Sequence, residues 1–109
     1  MNACRLSRAA GQDLLEITDW IAAANPDAAI RMRDRLDAAF TRLAARPGLG
    51  HLRNDLVAPA AGVRFWPVER YLVIYRPAVD GIDIVRVLSG YRDIASLLAS
   101  GQRTPRREG

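Results

Sequence analysis

"RYLVIYRPAVDGIDIVRVLSGYRDI", residues 70–94, decides how the rest of the chain is organised. Its first run is apolar on both alternating faces, with Leu72 and Ile74 on one and Tyr71, Val73 and Tyr75 on the other. A strand apolar on both faces belongs in the middle of a sheet covered on both sides. Asp80-Gly81 supplies a turn, and "IDIVRVLS", 82–89, is a second, mostly apolar strand. The polar cluster Gly90-Tyr91-Arg92-Asp93 follows abruptly. "YRDIASLLA", 91–99, then spaces Ile94, Leu97 and Leu98 as a short helix would.

Upstream, "GVRFWPV", 62–68, is a further strand, joined through a Glu69-Arg70 turn. Pro67 cannot donate to a ladder, so this strand lies near an edge, and an exposed edge invites an added strand from a partner. Before it the hydrophobic period changes from two to that of a helix. Ser7 is placed to cap a helix from Arg8, with Ala10, Leu14, Ile17, Ile21 and Ala24 on one face and Trp20 near it as a core residue. Asn25-Pro26-Asp27 ends that helix and caps the next, whose stripe is Ala29, Met32, Leu36, Phe40 and Leu43. "RPGLG", 46–50, stops it. Residues 3–7, "ACRLS", form a short edge strand, in which Cys4 is a packed small residue. The order is β-α-α-β-β-β-α. This is an α+β domain: an N-terminal strand, a helical hairpin packed on a small antiparallel sheet, and a short C-terminal helix. One domain spans 1–99, and 100–109 is a basic tail without periodicity, expected to be mobile.

Half of the 109 residues are hydrophobic, enough for one core. No apolar run approaches the ~20 residues of a membrane span, and the N-terminus lacks the apolar run of a secretory signal. A soluble cytoplasmic protein is expected. The net charge is +4, and all sixteen basic residues are arginine. Such a chain suits an acidic partner, either nucleic acid or protein. A single Cys4 and a single His51 exclude an internal disulfide and make a poor metal set, so no metal or other cofactor is expected.

The order of these elements, the "RPGLGH" connection and "YLVIYRPAVDGIDIVRVLSGYRD" with its Arg-Asp ending resemble the ParE/RelE superfamily of toxins from type II toxin–antitoxin systems. The resemblance covers residue 4 to about residue 98 and is nearest the ParE branch. It implies a toxin that inhibits DNA gyrase and is neutralised by a co-encoded, acidic, ParD-like antitoxin in a hetero-oligomer, with no sequence-specific nucleic-acid binding of its own. The RelE-like branch implies instead a ribosome-dependent mRNA endonuclease. A third possibility is an inactive homologue that retains only antitoxin binding.

Metal-free RNA cleavage needs groups that move protons and cations that hold the phosphate. Along the meander, the positions that carry this chemistry in the RelE-like branch fall on Leu72, Arg92 and Leu98. Two leucines can do neither job. A nuclease here would have to work with Arg92, Tyr91 and His51, so no catalytic residue is expected for the ParE-like function. Arg64, Trp66, Tyr91 and Arg92 are the expected partner contacts, at the Trp66 edge and on the sheet face that the hairpin leaves uncovered. Asp93 fits the start of the last helix. Arg86, in mid-strand, is expected to pair with Glu16 or Asp19 of the first helix.

Overall fold

A computed structural model describes residues 2–53, 55 and 62–89. In these the chain forms β1 (Ala3–Leu6), α1 (Arg8–Ala24), α2 (Pro26–Ala45), a 3-10 turn (Pro47–Leu49), β2 (Arg64–Val68), β3 (Tyr71–Ala78) and β4 (Gly81–Ser89). The sheet order is β1-β4-β3-β2. β2, β3 and β4 form an antiparallel meander, and β1 pairs with β4 in parallel, with Cys4 beside Ile82. The expected C-terminal helix, Asp93 and the tail lie outside the described residues.

The helix boundaries follow local chemistry. Ser7 Oγ accepts from Ala10 N–H at 3.0 Å and Asn25 Oδ1 from Ala28 N–H at 3.1 Å, each satisfying a donor that a helix start leaves orphaned. Pro26 opens α2, where its missing N–H costs nothing. Two positions require glycine. Gly81 has φ of +153°, and a Cβ there would sit 1.9 Å from the carbonyl oxygen of Ala3. At Gly50 a Cβ would meet the Tyr75 hydroxyl at 2.5 Å.

β3 is the central strand that its sequence implies: Tyr71 to Tyr75 are all buried. Tyr71, Val73 and Tyr75 join Ile82, Ile84 and Val87 beneath Leu14, Ile17, Leu36, Phe40 and Leu43 of the hairpin. Leu72 and Ile74 pack on the opposite face with Val63 and Phe65. These four are at most 3% exposed, so the centre of that face is not the open binding surface expected of it.

Two other expectations fail. Trp20 is 77% exposed, because it lies at the margin of α1's apolar stripe and stands in an open cleft beside Ile17 and Tyr71. Cys4 is exposed as well. β1 is the sheet's outermost strand and has a neighbour on one side only. Partial burial still pushes the Cys4 thiol up, slightly opposed by Arg5.

Candidate partner-binding site

The sheet has two margins, and its charged residues divide between them. At the β2 margin, the Arg64 guanidinium donates from Nη1 to the Gly50 carbonyl at 2.8 Å, while His51 and Phe65 exchange two backbone hydrogen bonds of 2.8 Å. The "RPGLGH" connection thus runs alongside β2 and occupies part of the edge that Pro67 marks. Tyr75 fixes its position: the phenol accepts from Gly50 N–H and donates to the Pro47 carbonyl, both at 2.7 Å. Burial raises the Tyr75 pKa, opposed by the Gly50 hydrogen bond and by Arg64.

Holding His51 there stacks its ring on Trp66, with centroids 5.9 Å apart and planes inclined by 16°. The Arg42 guanidinium of α2 lies 5.5 Å from the Trp66 ring centroid. Beyond Trp66, Arg35 of α2 pairs with Glu69 in the β2–β3 turn. The margin is therefore a shallow groove between α2 and β2, lined by Arg35, Arg42, Trp66 and Glu69. The structure brings together His51, Arg64 and Trp66 from the sequence expectations. Tyr91, Arg92 and Leu98 lie outside the described residues. Arg42 was missed; its pattern on α2 was visible, but which flank of the hairpin faces β2 was not.

At the other margin β1 stops at Leu6, opposite Ile84. A bulge follows: Tyr75 pairs with Ile84 but Ile74 with Arg86, which leaves Val85 without a partner on β3. The Val85 carbonyl accepts from Ser7 Oγ at 2.8 Å. Beyond it Arg86 reaches α1, though not Glu16 or Asp19, which are both exposed. Its partner is Asp13, bound through two N–H···O contacts of 2.8 and 2.9 Å. Asp13 also accepts from the Val87 backbone N–H at 2.9 Å, in place of a neighbouring strand. Asp13 lies one position from Leu14 on the buried face of α1, and its carboxylate covers the strand edge that β1 leaves open. This pairing raises the Arg86 pKa, chiefly through the hydrogen bond to Asp13. Arg86 thus has its carboxylate partner within the fold.

Chemically, the β2 margin offers cations and aromatic surface. Among the described residues, His51 has no carboxylate or second base hydrogen-bonded to its ring, and its ring contact is the stack on Trp66. Leu72, expected from the resemblance to stand where the nuclease branch has an arginine, is 2% exposed in the second cluster. Among the described residues no three His, Cys, Asp or Glu side chains gather as a metal-ligand set, and no helix is long and apolar enough to cross a membrane.

Toxin ParE3 of Caulobacter vibrioides is 35% identical over 71 residues, which span 65% of this chain and 66% of that protein, just short of two thirds of its length. A solved structure described as the chromosomal ParDE TA system from P. aeruginosa superposes with a TM-score of 0.67 at 22% identity, covering 84% of this chain and 98% of that one. At that identity the likeness is one of fold. The family model for the ParE toxin of the type II toxin–antitoxin system parDE matches residues 4–94. With the hairpin-on-meander fold, this places the chain in the ParE family of type II toxins.

Proposed function

We propose that this ParE-type toxin inhibits DNA gyrase in the cytoplasm and is neutralised by a co-encoded ParD-like antitoxin. The observation that carries the reading is Leu72. A buried leucine stands where the RNA-cleaving branch places a phosphate-binding arginine, on a face packed with Ile74, Phe65 and Val63. Losing a general acid or base costs about 10² to 10⁴ in rate, and losing a preorganised charge contact costs a comparable factor. A fold without those groups still presents surfaces to a protein target.

The antitoxin segment is best suited to the α1 side. There a cleft of about 440 Å³ is lined by Ile17, Trp20, Tyr71 and Leu88, with Arg70 and Glu16 among its polar residues. Of these, Trp20 is the exposed one, and an exposed aromatic standing beside polar groups is what a protein interface uses.

The test pairs inducible expression, with and without the antitoxin, with two assays on the purified toxin. Plasmid supercoiling by gyrase should be inhibited and then restored by antitoxin, while primer extension on ribosome-bound mRNA shows no A-site cleavage. Cleavage that is lost in Arg92→Ala would replace this reading with the nuclease. Inactivity in both assays, with antitoxin binding retained, would identify an inactive homologue.

A further inference from the structure

Arg31, Arg35, Arg42 and Arg46 follow one another along α2 and its C-cap. At 3.6 residues per turn they fall within about 60° of arc, and at 1.5 Å per residue they span about 22 Å. All four are exposed. Two contacts fix which way this line faces: Arg35 meets Glu69, and Arg42 lies over Trp66, so it runs along the flank of α2 beside β2. Arg31, Arg42 and Arg46 have no carboxylate partner among the described residues. Of the acids of α2, Asp37 is paired with Arg33 on the opposite flank, while Asp27 and Asp34 flank Arg31 at i−4 and i+3, so the carboxylate-free part of the line is its Arg42–Arg46 end.

We propose that this arginine flank binds the phosphate backbone of duplex DNA without sequence preference. Its length matches about six base-pair steps at 3.4 Å. Arginine forks are suited to phosphate oxygens, and a basic line along one helix is the electrostatic signature of a nucleic-acid surface. Trp66 and His51 add aromatic surface at its centre.

An acidic protein segment is the competing occupant, and the distribution of apolar groups argues against it. A protein interface has an apolar core. The large exposed hydrophobics are Leu6, Leu15, Trp20, Ile30, Leu52 and Val79, none of which belongs to the arginine line or its groove. Between Arg35 and Arg42 the groove offers only Ala38 and Ala39 from the helix. Trp66, the large aromatic of the groove, is already stacked by His51 and covered by Arg42, whereas the largely exposed hydrophobics lie outside the groove.

The proposal does not rest on gyrase inhibition and is tested without gyrase. The intact toxin is titrated into a fluorescein-labelled 20-base-pair duplex of mixed sequence, and anisotropy is followed from 50 to 200 mM KCl. Non-specific binding in the range of about 10⁻⁴ to 10⁻⁶ M is expected. With three phosphate contacts, log K should fall with log salt at a slope of about −2.7, a loss of about 40-fold across that range. Arg42→Ala/Arg46→Ala should flatten the slope by about 1.8, while Arg33→Ala on the opposite flank leaves it unchanged. Circular dichroism of each variant separates lost contacts from lost fold. Absence of binding at 50 mM KCl, or a double variant with the wild-type slope, overturns the proposal. So does a Glu-rich helical peptide that binds through Arg42 and Arg46 when the duplex does not, which would assign the flank to an acidic protein. A negative result leaves the gyrase reading standing, and a failed supercoiling assay leaves duplex binding standing.

Discussion

At the β4 margin, Asp13 is 8% exposed and takes two hydrogen bonds from Arg86 and one from the Val87 backbone. At the β2 margin, Arg42 and Arg46 stand in solvent, and the nearest organised group is an aromatic pair. Both margins carry arginine, and the sequence alone does not say which arginine is which. The difference lies in what the helices bring to each edge. α1 delivers a carboxylate to an unpaired strand, so the charge is consumed by the fold. α2 delivers arginines to a strand already edged by His51 and closed to pairing by Pro67; Arg35 is taken by Glu69, but Arg42 and Arg46 have no carboxylate partner among the described residues. A charged residue inside a strand is thus evidence of structure or of function only once its partner is known.

The contrast can be broken most sharply at Arg86. Arg86→Ala strands the Asp13 carboxylate in a nearly buried site. The expected loss is about 3 kcal/mol, the lower end of the range for broken buried pairs because the Arg86 side chain is 26% exposed. For a domain of this size that lowers the thermal midpoint by about 12 °C or more. Replacing both partners, as Asp13→Leu/Arg86→Met, should cost less than Arg86→Ala alone, because no charge is then left buried. A midpoint unmoved by Arg86→Ala would erase the distinction between the margins.

Tyr75→Phe comes next. It leaves the buried Gly50 N–H without an acceptor, at an expected cost of about 1–3 kcal/mol in denaturant unfolding. Its pH signature is specific. Burial raises the phenol's pKa in the folded chain above the ordinary value of about 10. The associated stability is present in full below about pH 10 and is lost as pH rises through the folded value. The phenylalanine variant lacks that alkaline decline. Wild type and variant declining in parallel above pH 10 would show that the phenol is not what ties the "RPGLGH" connection to the sheet.

Arg42→Ala inverts the ranking. Its cation–π contact with Trp66 is worth about 0.5–1 kcal/mol at an exposed site, so thermal unfolding moves little. Its effect should appear in binding. Smallest of all is Arg33→Ala, which removes an exposed i,i+4 pair with Asp37 worth about 0.3–0.5 kcal/mol. A large loss of stability in either variant would mean that α2's surface charges support the fold and are not held ready for a partner.

The sequence shows the fold more clearly than the site. Period-2 and period-3.6 patterns distinguish the meander from the hairpin, and Ser7, Asn25 and Pro26 mark helix boundaries by chemistry local to a few residues. The central place of β3 follows from its two apolar faces. What escaped depends on contacts between residues far apart in the chain. Asp13 looks like a solvated helix residue until β4 is known to end up beneath it. Trp20 looks like core because its neighbours Ile17 and Ile21 are, yet a step of 100° per residue carries it out of that stripe. The Trp66 edge was legible from Pro67, but not that His51 would lie along it, since a two-residue bridge leaves no periodic trace.

The parallel pairing of β1 with β4 has a kinetic side. Arg5 and Asp83, joined by a side-chain hydrogen bond, are 78 residues apart in sequence, and Gly81 can close on Ala3 only after nearly the whole described chain has been made. The hairpin's contacts are local in sequence, whereas the β1–β4 pairing cannot be made until β4 exists. Until β3 and β4 arrive, Leu36, Phe40 and Leu43 have no sheet to pack against, and a growing chain presents an apolar helical stripe to whatever is nearby. A translation product cut short before β4 therefore has neither its last central strand nor its closed edge. Folding itself delays the moment at which this chain can act.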